Sequence, residues 1–223
     1  MQDAPNPSQD GQEDLEPVQG PRRTGNNLPL QLTSFVGRER EMAEVETLLS
    51  EHRLLTLTDP GGSGKTRLAL AVASGTVERL DDGGWLVELA PLTDPALVFQ
   101  AVASVLGVQE TPGSSLVDTL VGYLEPRCTL IVLDNCEHLV DSCASLAEAL
   151  LRRVPNLWIL ATSREGLGVA GETLFAVPPL TLPDPHRVPA VDGLPRYEAS
   201  GLSVERARAV RPDSCRSATA SGA

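Results

Sequence analysis

Lys65 and Thr66 follow a turn, Pro60, Gly61, Gly62, Ser63 and Gly64, that carries almost no side chain, and Arg67 continues the chain behind them. Such residues in that order could hold a phosphate chain. Glycines let successive backbone N–H groups converge on an anion, and the N-terminus of a following helix adds partial positive charge. Lys65 would then reach the β and γ phosphates, Thr66 would offer its hydroxyl to Mg2+, and residues 60–67 together would line the ligand. Gly64, Lys65 and Thr66 fit the spacing G-x-x-x-x-G-K-[ST], but Asp59 stands at its first glycine. An Asp adopts a left-handed backbone at a cost of about 1 to 2 kcal/mol. Its charge weighs more. At roughly 8 Å and an effective dielectric near 20, repulsion from a phosphate charge is about 2 kcal/mol before screening. The expectation is weakened nucleotide affinity, not its loss.

A carboxylate completes the chemistry. Asp134 ends the continuous apolar run Cys128 to Leu133 (CTLIVL), the pattern of a strand buried on both faces of a parallel sheet. Ligands of open α/β sheets bind at the carboxyl ends of the strands, so Asp134 should lie beside the glycine turn and share a Mg2+ with Thr66, directly or through water. Glu137 is the nearest free carboxylate beyond it and could polarise an attacking water; a solvated Glu at the start of a helix is the competing reading. Arg164 follows a second buried run, Leu157 to Ala161 (LWILA), and the polar pair Thr162 and Ser163. A cation there could sense or stabilise the terminal phosphate, against the plainer reading of a surface Arg.

These groups need a scaffold, and the apolar periodicity supplies one. A helix opening after Gly37 puts Met42, Val45, Leu48 and Leu49 on one face. A strand from Leu54 enters the turn, and the helix leaving it carries Leu68, Ala71 and Val72 inward and should stop at Gly75. Trp85 to Leu89 reads as the next strand. Asp94 and Pro95 suit an N-cap and first helical residue, ahead of an apolar face at Val98, Val102 and Val105. Leu116 to Leu124 predicts a shorter helix, and Leu139, Cys143, Leu146 and Leu150 a long one ending before Pro155. Thr173 to Val177 is a candidate fifth strand. The fold expected is α/β and three-layered, a parallel sheet of about five strands flanked by helices, over residues 30–182. Residues 1–29, rich in Pro, Gln, Asn and acid, read as a disordered tail. Residues 183–223 read as a Pro-rich linker and one further helix, Tyr197 to Val210.

Composition narrows the class. The 223 residues are 41% hydrophobic, enough for a core, but only 3% aromatic, so Leu, Val and Ala must fill it. A net charge of -12 argues against this chain gripping nucleic acid with its own surface. No run of about 18 uncharged apolar residues suggests a membrane span, and the N-terminus lacks the basic and apolar regions of a secretory signal, so a cytoplasmic location is expected. Cys128, Cys136, Cys143 and Cys215 form no C-x-x-C pair and read as small buried hydrophobes in a reducing compartment.

NLPLQLTSFVGRERE, TLTDPGGSGKTRLALAVA, WLVELAPLTDPALV, LIVLDNCEHL, ILATSREGLGVAGE and VPPL, in that order, resemble the STAND-class, NB-ARC-like P-loop ATPase domains of bacterial LuxR-type and SARP-type transcriptional regulators. The resemblance covers residues 27–182. It implies an ATP/ADP-dependent switch, slow Mg2+-dependent hydrolysis, and partners among the other domains or proteins of a regulator. Gly62, Gly64, Lys65 and Thr66 resemble the Walker A residues, Asp134 the Walker B acid, and Arg164 the Arg of the sensor-like strand end. Phe35, Val36 and Gly37 match the segment that lies by the adenine. The helical lid, winged-helix, repeat and helix-turn-helix regions of such regulators have no counterpart here, so the chain reads as truncated and as making no direct DNA contact. Two other readings stay open. One is a nucleotide-dead interaction module, favoured by Asp59 and the missing lid. The other is a P-loop kinase acting on a small molecule, which shares Lys65 and Thr66 but would need an acceptor pocket. A GTPase is disfavoured by the absence of an N-K-x-D motif.

Overall fold

A computed structural model describes residues 25–29, 38–59, 61–111 and 113–179. Five strands, β1 (Leu54–Thr58), β2 (Gly84–Glu88), β3 (Thr129–Asp134), β4 (Leu157–Ser163) and β5 (Thr173–Ala176), form one sheet. Its order is β2-β3-β4-β1-β5 and every pairing is parallel. Because side chains alternate across a strand, each run feeds two cores. Leu54, Trp85, Val87, Ile131, Leu133, Leu157, Ile159 and Ala161 face one side, where α3 (Val98–Leu106), α4 (Leu116–Leu124) and α5 (Val140–Leu151) pack. Leu55, Leu57, Leu86, Leu130, Val132 and Leu160 face the other, under α1 (Glu39–Glu51) and α2 (Lys65–Val77). Both faces of β1 to β4 are covered, so those strands need no polar side, whereas β5, at the edge of the sheet, leaves Leu174 exposed.

Local chemistry sets the helix ends. Asp94 accepts a hydrogen bond from the Ala96 N–H at 2.9 Å and opens a 3-10 turn, Pro95–Leu97, ahead of α3. Ser115 caps α4 by accepting from the Asp118 N–H at 3.1 Å. Gly107, left-handed at φ 70°, ends α3.

One predicted stop does not occur. Gly75 lies inside α2, which runs on to Val77, and Ala71 is half-buried while Ala69 and Ala73 face the core beside Leu68 and Val72. Tertiary packing favours the continuation, because α2 packs on α1 along its length. A Cβ at Gly75 would make only ordinary contact with Glu46 Oε1, at 3.5 Å, so the glycine is a tolerated helical residue and not a cap. The second strand is Gly84–Glu88, so Leu89 falls just beyond it, and β4 is longer than its apolar run because Thr162 and Ser163 pair with Leu57 and Thr58. The outer limits of the expected tail, domain and linker, and the helix at Tyr197 to Val210, lie outside the described residues.

Candidate functional site

At the carboxyl end of β1 the chain turns through Gly61, Gly62 and Gly64, all at positive φ (139°, 79° and 87°), into the N-terminus of α2. Only glycine takes these angles at low cost, and among the described residues nothing lies within 4 Å of where their Cβ atoms would be. Ser63 is buried, and its Oγ has no hydrogen-bond partner among the described residues. Lys65 Nζ donates to the Asp59 carbonyl at 3.0 Å, which holds the ammonium across the loop.

Across the sheet, Thr66 Oγ1 donates to Asp134 Oδ1 at 2.7 Å. β4 lies between β1 and β3, and it contributes the link: Thr162, buried on β4, donates to the same Asp134 oxygen at 2.7 Å and accepts the Asn135 N–H at 2.9 Å. Asn135 is the one non-glycine residue with positive φ among those described (66°), and this strained turn re-aims the chain directly behind Asp134. Thr66 and Asp134 therefore present a hydroxyl and a carboxylate side by side. Those are hard oxygen donors of the kind Mg2+ takes, usually with several waters. Among the described residues no group of three or more His, Cys, Asp or Glu could hold a metal by itself.

Glu137 sits in a 3-10 turn, Cys136–His138, and its Oε1 lies 3.4 Å from Arg164 Nε. The two side chains named for water and for the terminal phosphate are thus paired with each other. Arg164 is two-thirds exposed and Glu137 largely covered, so the pair is held weakly. Asp59 is placed inside the loop, not outside it. Its Oδ2 accepts the Gly61 N–H at 3.0 Å. Desolvation pushes its pKa up, but the Ser63 hydroxyl, which stops short of full hydrogen-bond geometry, the Gly61 N–H and the Lys65 ammonium together hold it below the usual carboxylate range. Phe35, Val36, Gly37 and Pro60 lie outside the described residues, and Arg67 follows Thr66 into α2.

Sequence reasoning missed four residues here. Thr162 stands out in the sequence only as polar, and Asn135 not at all; neither carries a motif signal. Glu172, whose carboxylate binds the loop after β4, was not singled out. Arg38 is 4% exposed; its Nη2 donates to the Pro178 carbonyl at 2.8 Å, and its Nη1 is buried with no partner among the described residues. Cys128 is half-buried just ahead of β3, so the expectation of a buried hydrophobe holds only for two of the three described cysteines. Cys136 and Cys143 are buried and free, and their mutual hydrogen bond and burial push the Cys136 thiol well up, so it stays protonated.

No family model matches the sequence. An uncharacterized protein of Mycobacterium tuberculosis is 44% identical over 182 residues, which are 82% of this chain and 43% of that protein. A second, whose name marks it provisionally as an HTH-type transcriptional regulator of the same organism, is 42% identical over 168 residues, 75% of this chain and 17% of its own. The chain thus spans less than half the length of the curated relatives it matches. Among solved structures, Cdc6p from Pyrobaculum aerophilum superposes with a TM-score of 0.50 over 69% of this chain and 48% of that one, at 16% identity. Among the described residues no helix is long and apolar enough to cross a membrane. The parallel five-stranded sheet, its two helical layers and this likeness make the described residues a P-loop NTPase fold.

Proposed function

We propose that this chain is an ATP/ADP-binding switch domain with slow Mg2+-dependent hydrolysis, working as one part of a cytoplasmic, signal-responsive transcriptional regulator. The observation that supports it most is the 2.7 Å hydrogen bond joining Thr66, behind the glycine turn, to Asp134 at the tip of the buried β3 run. A hydroxyl and an acid from segments 68 residues apart meet where a phosphate-bound metal would need them. The regulator part rests on the 42% identity with the HTH-type relative, whose remaining length would supply DNA binding and signal reception.

In this reading the glycine turn and residues Gly61 to Arg67 bind the phosphate chain through backbone N–H groups. Lys65 would leave the Asp59 carbonyl for the β and γ phosphates, and Thr66 and Asp134 would hold the Mg2+. The metal would neutralise charge developing on the phosphate oxygens. Arg164 turns to the terminal phosphate, and Glu137, once free of it, orients the water for in-line attack. Phe35, Val36 and Gly37 would lie by the base.

Calorimetric titration with MgATP and MgADP tests this. Wild type should bind both, and Lys65→Ala should lose at least about tenfold in affinity, the equivalent of one charge-assisted contact. Absence of binding by wild type would sink the proposal. A second reading, a module that keeps the fold without the nucleotide, is favoured by one observation: the Asp59 carboxylate already occupies the Gly61 N–H that a phosphate would use.

A further inference from the structure

The nine residues between β4 and β5 (164–172) form no helix, yet they are tightly held. Glu172 does this. Its Oε1 accepts the Thr56 hydroxyl at 2.6 Å and the Leu167 N–H at 2.7 Å, and its Oε2 accepts the Gly168 N–H at 2.8 Å. Thr56 is fully buried in the middle of β1, the strand that feeds the phosphate loop, and Leu167 is 5% exposed. The Glu172 N–H also donates to the Val169 carbonyl at 3.0 Å. Gly168 and Gly171 take left-handed φ (76° and 84°), and a Cβ at Gly166 would come within 2.9 Å of Leu174 and 3.2 Å of Glu172 itself, so the loop closes around the carboxylate. Among the described residues Glu172 makes no salt bridge. Its charge is spent on neutral donors, an arrangement suited to fixing backbone.

The loop begins at Arg164. We infer that Glu172 is a positioning residue: its carboxylate straps the β4–β5 loop to β1 and so fixes Arg164 at the crevice, where it separates nucleoside triphosphate from diphosphate. This rests on the function proposed above. A long cation is effective only where its backbone is anchored, because ordering a free loop would offset the gain from the phosphate contact.

The test is the ratio of MgATP to MgADP affinity in wild type, Glu172→Gln, Arg164→Ala and the double variant, with unfolding midpoints measured alongside. A Gln retains one acceptor oxygen and cannot serve Gly168 and Leu167 together. Glu172→Gln should lower the ratio about three- to tenfold, chiefly through ATP, and should add nothing in the Arg164→Ala background. Thr56→Val, which deletes one arm of the strap within a buried site, should move the ratio in the same direction by less, and it decides the matter if Glu172→Gln fails to fold. Equal losses for ATP and ADP, or a lower midpoint with the ratio unchanged, would show a purely structural role and overturn the inference while leaving nucleotide binding intact. A wild type that binds neither nucleotide overturns both.

Discussion

The Asp59 carboxylate accepts a hydrogen bond from the Gly61 N–H and carries its charge beside the Lys65 ammonium, so an incoming phosphate must displace it and then tolerate it. Both costs disappear in Asp59→Gly. Removing a repulsion of about 2 kcal/mol should raise ATP affinity by about tenfold or more, read by titration calorimetry at low salt, where screening is least. Asp59→Asn keeps an oxygen for Gly61 and loses only the charge, so its gain should be smaller. The pH dependence follows from the sign of the shift. Because the folded-state pKa is depressed, the group stays ionised above the ordinary carboxylate value near 4, and its contribution to stability is lost only as pH falls through the lower, folded pKa. The ratio of wild-type to Asp59→Asn affinity should therefore stay flat from about pH 5 to pH 8. A rise in that ratio toward pH 5 would mean that Asp59 is not held as the loop geometry requires.

Elements with local signals were legible, and those decided by neighbours were not. α4 spans Leu116 to Leu124 as its apolar spacing predicts, since Ser115 caps it and its apolar face packs on α3 and α5 in agreement with that spacing. Gly75 misled because a local stop signal was outweighed by the packing of α2 on α1. Asn27 opens the segment that carries the family resemblance, but no local pattern foretells its pairing with β2. It falls in the stretch read from composition as a tail, yet its Nδ2 donates to the Leu86 carbonyl at 2.9 Å and its Oδ1 accepts the Leu86 N–H at 2.6 Å. A single side-chain amide thus pairs with β2, an edge strand whose free backbone would otherwise invite another strand. Leu86 is buried, so Asn27→Ala should strand two backbone groups and destabilise by about 1 to 3 kcal/mol, seen as a lower urea midpoint with an unchanged slope. A midpoint within error of wild type would show that water or another segment satisfies that edge.

At the scale of the molecule, the sheet is what turns distant sequence into one site. The acid at the end of β3 and the hydroxyl at the start of α2 were each identifiable by type, because a buried run ending in Asp and a glycine turn ending in Lys-Thr are local patterns. That β4 would lie between their strands, and that Thr162 would bridge them, depends on strand order, which residue types do not encode. The same architecture makes ligand binding and stability one equilibrium. Phosphate contacts would join residues 61–67 to the tips of β3 and β4, elements that are packed together only in the folded state, so a nucleotide that binds there favours folding by mass action. At a concentration one hundred times its dissociation constant the gain is about 2.7 kcal/mol. For a domain of this size that corresponds to a rise of roughly 5 to 10 °C in unfolding midpoint. Thermal scans with MgATP, MgADP and sodium triphosphate should show this rise for the nucleotides, and Lys65→Ala should lose about half of it or more while keeping the midpoint of the unliganded protein, since among the described residues its ammonium meets a loop carbonyl and the Asp59 charge. A rise that survives Lys65→Ala undiminished would locate nucleotide binding away from the glycine turn.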